Sequence, residues 1–138
     1  SFVNKGHVAE QFIAQHLAYI GKNNVSSYLT YWLREGRAGN AEIDFITQFG
    51  QEIVPVEVKA GKSGSLKSLQ QFVNHKKARV GVRFDLNVPS YQHVSHALSQ
   101  GGESVQVEFD LLSLPLYMIE ELPRIFGGIV TNVDRRQG

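Results

Sequence analysis

Two alternating runs set back to back between Ala41 and Ala60 constrain this chain more than anything else in it. From Ala41 to Phe49, Ile43, Phe45 and Thr47 alternate with Glu42, Asp44, Ile46 and Gln48. From Glu52 to Ala60, Val54, Val56, Val58 and Ala60 alternate with Ile53, Pro55, Glu57 and Lys59. A period of two places successive side chains on opposite faces of a strand. The two residues between the runs, Gly50 and Gln51, are a tight hairpin connection. If Phe49 and Glu52 face each other across that turn, position 44 faces position 57.

The rest of the chain is arranged around this hairpin. Gly6 to Ile20 carries Val8, Phe12, Ile13, Leu17, Tyr19 and Ile20 at helical spacing and ends at Gly21. Glu10 falls beside Leu17 on the border of that apolar arc. Val25 to Glu35 is rich in β-formers and is followed by the turn residues 36–40, which predicts a first strand. After the hairpin, residues 61–65 form a glycine and serine loop leading to a helix cap. Leu66, Leu69, Phe72 and Val73 then mark one face of a helix that ends near Lys77. Arg79 to Phe84 follows as a short buried strand, placed by a crossover in the same sheet. Tyr91 to Leu98 and Ser104 to Leu111, joined across Gly101-Gly102, read as a hairpin, with a helix as the other option for the first arm. Pro115 suits the first turn of a last helix through Ile119 and Leu122, which Pro123 bends or ends. The predicted order is helix, three-strand meander, helix, strand, hairpin and helix. That is an α+β domain with a mixed central sheet.

Composition bounds the rest. The 138 residues suffice for one core and not for two ordinary domains, so 1–138 is expected to be a single domain. No cysteine is present, which excludes disulfides, thiolate nucleophiles and zinc held by sulfur. No run of about 18 apolar residues and no signal-peptide pattern occurs, so a cytoplasmic protein is expected, with no membrane partner. The first residue is Ser1 and the sole methionine is Met118, which fits initiator removal or a piece of a longer protein. The net charge of +1 argues against coating nucleic acid by bulk basicity. Its distribution is uneven, however. Lys59, Lys62, Lys67, Lys76, Lys77, Arg79 and Arg83 fall in a stretch without Asp or Glu, either a positive face or a solvated helix face.

Glu57 and Lys59 sit on one face of a strand whose other face is apolar, and Asp44 is expected opposite Glu57. Two carboxylates about 5 Å apart repel each other unless a cation compensates. They hold Mg²⁺ or Mn²⁺ through oxygen, and an adjacent ammonium can orient an attacking water, a set suited to phosphodiester hydrolysis. Glu10 is a further candidate at the site. The plainer alternatives are a surface ion pair between Glu57 and Lys59, a solvated Asp44 near the turn and a helix-surface Glu10. The five histidines show no metal-ligand spacing, since His93 and His96 would face opposite sides of a strand.

Glu10, Asp44 and Glu57-Val58-Lys59, in that element order, resemble the PD-(D/E)XK nuclease superfamily and its restriction-endonuclease-like fold. More narrowly, Tyr31-Trp32, residues 39–45, Pro55 to Lys59 and Leu114 to Tyr117 resemble the C-terminal domain of uncharacterised prokaryotic AAA-type ATPases, over nearly the whole chain. Ile43 stands where the superfamily has its naming proline. The resemblance implies a nuclease domain for DNA with Mg²⁺ or Mn²⁺ as cofactor. Asp44 and Glu57 would be metal ligands, Lys59 and Glu10 catalytic partners, and an ATPase module would lie in the same polypeptide outside this chain. It also implies substrate contacts from Lys67 and Gln70, and the basic segment adds Lys62, Lys76 and Lys77 along a phosphate backbone. The alternative is a non-catalytic DNA- or protein-binding module of such an ATPase.

Overall fold

A computed structural model of the chain describes residues 8, 9, 11–16, 30–33, 43–49, 51–59 and 66–137, with the backbone alone for 30–33, 49, 100 and 130–137. Residues 8, 9 and 11–16 are helical (α1). They are followed by β1 (Thr30–Leu33), β2 (Phe45–Phe49), β3 (Glu52–Val58), α2 (Lys67–Lys76), β4 (Val80–Asp85), β5 (Ser90–Gln100) and β6 (Glu103–Pro115). A 3₁₀ turn (Leu116–Glu121) and α3 (Leu122–Gln137) complete the chain. The six strands form one sheet in the order β1-β2-β3-β4-β6-β5. β1, β2 and β3 are an antiparallel meander, β3, β4 and β6 run parallel, and β5 returns antiparallel at the edge. The fold is α+β with a mixed sheet, in the element order the sequence predicts.

Each face of the sheet buries its own apolar layer. Val54, Val56 and Val58 of β3, with Phe45, Val82, Phe84, Leu112 and Leu114, pack against Ala9 and Ile13 of α1 and against Leu122, Phe126 and Ile129 of α3. The opposite layer joins Leu69, Phe72 and Val73 of α2 to Ile43, Leu98, Val107, Phe109 and Leu111. With helices over both faces, β3 and β4 are buried along most of their length, as parallel strands in such sheets are. The β5/β6 hairpin turns at Gly101 (φ +60°) and Gly102 (φ +81°), the two positive φ values of a type I′ turn. Its first arm is a strand, not a helix. Residues 110–115 of β6 pair with β4, so beyond Asp110 the two arms continue past the body of the sheet as a ribbon. Among the described residues, no helix is long and apolar enough to cross a membrane.

Several expectations need correction. In α1 the residues facing the core are Ala9 and Ile13, while Val8 and Phe12 are exposed, so the packed arc is rotated from the predicted one. Phe12 instead stacks on His16, whose Nδ1 lies 2.8 Å from the Phe12 carbonyl oxygen. Ile43 joins the layer under α2, not the Phe45 layer, because the chain bends at Asp44 before β2 begins. The N-cap of α2 is Leu66, which makes no side-chain cap bond. Pro115 closes β6, and Pro123 does not end a helix. It sits in the first turn of α3, where a missing N–H costs nothing. The helical end of Gly6 to Ile20 at Gly21, the loop 61–65, Gly50 and the outer parts of the first strand lie outside the described residues.

Candidate functional site at the ends of the parallel strands

The site starts from hairpin register. Phe49 pairs with Glu52 and Phe45 with Val56, which is the register that would set Asp44 opposite Glu57. The ladder stops one step short of that pair. Asp44 sits in a bend, and its Oδ2 accepts a hydrogen bond of 2.7 Å from the Val58 backbone N–H. The carboxylate thus takes the place of the next rung and fixes itself beside the end of β3. A half-buried aspartate held this way has one oxygen engaged by the backbone.

Val56 and Val58 face the α1/α3 layer, so Glu57 projects to the side covered by α2. Its side chain is 5% exposed. Lys59, one residue past the strand, is held by its own N–H donating to the Phe84 carbonyl at 2.8 Å, and its Nζ stands 3.2 Å from Glu57 Oε1. The second oxygen, Oε2, is buried and has no hydrogen-bond partner among the described residues. Burial pushes the Glu57 carboxyl above its ordinary range. The charge and hydrogen bond of Lys59 pull it back, Asp44 raises it further, and Arg83 lowers it. A carboxylate with one buried, unpaired oxygen is costly as it stands, and a cation is the partner that would compensate it.

Sequence reasoning missed the other half of this arrangement. Arg83 pairs with Glu57 in the parallel register of β3 and β4. Its Nε donates to Asp85 Oδ2 at 3.1 Å, and Asp85, almost fully buried, also accepts from the backbone and side-chain amides of Asn87, both at 3.0 Å. The signal was present in the chain. Glu57 and Lys59 are an acid and a base two apart, and Arg83 and Asp85 are a base and an acid two apart, so parallel strands in register set opposite charges side by side. These groups collect at the carboxyl ends of β3 and β4, the end of a parallel sheet where ligands bind.

The remaining candidates divide. Gln70 is buried on α2, not part of an exposed polar face. Lys67 is exposed at the start of α2, and Lys76 and Lys77 are exposed at its other end, about 14 Å away by helical rise. Glu10 and Lys62 lie outside the described residues. The stretch 59–83 is less positive than its composition, since Lys59 pairs with Glu57, Arg79 with Glu52 and Arg83 with Asp85. Among the described residues no three His, Cys, Asp or Glu side chains converge as a metal cage, so the candidate ligands there are the pair Asp44 and Glu57.

No curated protein matches this chain. The family described as Domain of unknown function (DUF4143) matches residues 5–107, a span that includes Asp44, Glu57, Lys59, Arg83 and Asp85. That match covers well over half of the sequence, and the chain belongs to the DUF4143 family.

Proposed function

We propose that this domain is a Mg²⁺- or Mn²⁺-dependent nuclease of the PD-(D/E)XK kind, hydrolysing DNA phosphodiester bonds in a cytoplasmic protein that also carries an ATPase module. The observation that carries this reading is the unpartnered, buried Oε2 of Glu57, flanked by Asp44 and Lys59. The donor set fits a hard divalent cation, which takes carboxylate oxygens and retains open positions. Asp44 and Glu57 would hold it, and it would supply charge neutralisation for phosphate and acidify water. Lys59 keeps its ammonium against Glu57 Oε1, where it orients the carboxylate and can hold a water by hydrogen bonds. Arg83 places a guanidinium beside Glu57, and Asp85 holds it in position. The exposed Lys67, Lys76 and Lys77 would follow the phosphate backbone.

One observation favours a second reading. The Asp44 carboxylate already closes the β2/β3 ladder on the Val58 N–H, which is a sufficient structural reason for an acid at that position. On that reading the domain is a non-catalytic docking module for DNA or protein. Calorimetric titration with Mn²⁺ and cleavage of single- and double-stranded DNA separate the two. The nuclease reading expects Mn²⁺ binding that Glu57→Gln removes and cleavage that EDTA stops. Absence of both in a folded parent protein, or DNA binding indifferent to EDTA and to Glu57→Gln, would establish the docking module instead.

A further inference from the structure

The edge strand β5 carries an inference independent of the nuclease reading. It spans Ser90–Gln100 and pairs with β6 at every position from Ser90 opposite Ser113 to Gln100 opposite Glu103, without a bulge. Among the described residues it is one of the sheet's two edge strands, opposite β1. An edge of eleven residues offers a row of backbone donors and acceptors to any extended chain, and stable monomers blunt such edges with charges, prolines, bulges or brevity. β5 has none of these. Its sequence SYQHVSHALSQ contains no Asp, Glu, Lys, Arg or Pro, although a fifth of the chain's residues are charged. The residues behind it on β6 do include Glu103, Glu108 and Asp110.

We infer that β5 pairs antiparallel with β5 of a second copy of this chain, joining two sheets into one across a two-fold axis. Charge selects this occupant. In an isologous antiparallel pair a residue at the axis meets its own copy, so a charge there would repel itself, and β5 carries no Asp, Glu, Lys or Arg at any position. A strand built to capture a charged partner segment would carry complementary charge, which β5 lacks. The side chains are also held ready for such a contact. Asp110 fixes Tyr91 and His93 on one face through its two oxygens, with His93 Nδ1 at 2.9 Å, and the Gln106 amide donates to Ser95 Oγ at 2.6 Å. Leu98 and Val94 anchor the other face to the layer under α2. The strand is therefore preorganised by its unbroken pairing with β6, which lowers the ordering cost of pairing.

Sedimentation equilibrium of the parent chain tests this, together with two surface variants at an exposed position, His96→Lys and His96→Glu. The expected result is a parent mass near twice 15.4 kDa, with each variant shifted at least tenfold toward monomer at the same concentration. Mixing the two variants should restore the dimer, because the two positions 96 lie on one face close to the axis and then carry opposite charges. Far-ultraviolet dichroism of each variant confirms that the fold is kept, and amide exchange on β5 should slow as parent concentration rises. A parent that stays monomeric at hundreds of micromolar, a dimer unaffected by either charge, or variants that fail to recombine would overturn the proposal. A second sheet-pairing partner in place of a second copy would show as the first of these outcomes.

Discussion

Two buried carboxylates, one on each face of the sheet, have opposite circumstances. Asp110 on β6 is 2% exposed on the α3 side, and each of its oxygens has a partner, the Tyr91 hydroxyl on one and His93 Nδ1 on the other. Glu57 on β3 is nearly as buried on the α2 side, yet among the described residues its Oε2 has no partner, and its carboxyl is pushed upward by burial. Both acids sit in a sheet that packs apolar layers above and below. A satisfied acid in that setting fixes local geometry. An unsatisfied one is a destabilised group, and its retention calls for a ligand that restores the balance. Asp110 accordingly belongs to the architecture of the β5/β6 hairpin, and Glu57 to the proposed site.

The largest effect should fall on activity. Lys59→Ala is expected to lower DNA cleavage in Mn²⁺ about 100-fold, the usual scale for a positioned group that manages a water or its proton. Glu57→Gln should cost at least as much, while Asp110→Ala leaves the rate constant of folded protein within a few-fold. Single-turnover cleavage with matched concentrations of folded protein measures all three. Equal losses at Asp110 and Glu57 would erase the distinction between the two acids.

Stability should rank the same residues in the reverse order. Asp110→Ala removes the shared acceptor of Tyr91 and His93 and empties a buried position, for a loss of about 2–3 kcal/mol. Glu57→Gln keeps the volume and removes a charge that lacks full compensation. Its abandoned partner, Lys59, is 36% exposed and can turn to water, so the change is expected to be neutral or stabilising without metal. Urea midpoints in EDTA test this directly. A Glu57→Gln variant weaker than Asp110→Ala would mean that the Glu57–Lys59 pair is a structural strut.

The Glu57 side of this contrast was legible in the sequence, and the Asp110 side was not. The alternation around Gly50-Gln51 predicts the β2/β3 register, because a two-residue connection leaves only one pairing that keeps Val54, Val56 and Val58 on the core side. The same logic brings Asp44 to the end of β3 next to Glu57. It does not reveal that Asp44 bends out of the ladder to bond the Val58 N–H, since a side chain replacing a rung depends on where pairing stops. Arg83 and Asp85 escaped because their spacing, complementary to Glu57 and Lys59, becomes contact only through the register of β3 against β4 across a helical crossover. The extent of the last helix was misread for a different reason. Pro123 read as a bend or an end, although Phe126 and Ile129 continue the helical spacing of Leu122 beyond it and pack on the core. A proline within the first turn marks a beginning as readily as an end.

The smallest predicted effect gives the contrast its sign. Glu57 has its folded-state carboxyl raised above the ordinary value of 4.5, chiefly by burial. A group raised in this way favours the folded state while protonated. Its contribution is complete below the unfolded value and is lost as pH climbs through the folded one. Relative to Glu57→Gln, which cannot titrate, the parent protein in EDTA should therefore lose stability as pH rises from 4.5 toward neutrality. Taking the difference between parent and variant cancels the histidines and the other carboxylates, Asp110 included. Mn²⁺ should then restore the parent above pH 6 and leave Glu57→Gln unchanged, because binding to the folded state alone stabilises it by mass action. Paired urea titrations from pH 4 to pH 8, with and without Mn²⁺, follow this directly. A difference that is flat with pH would mean Glu57 is well solvated in solution, and one of opposite sign would mean Lys59 and Arg83 outweigh burial, leaving no deficit for a metal to fill.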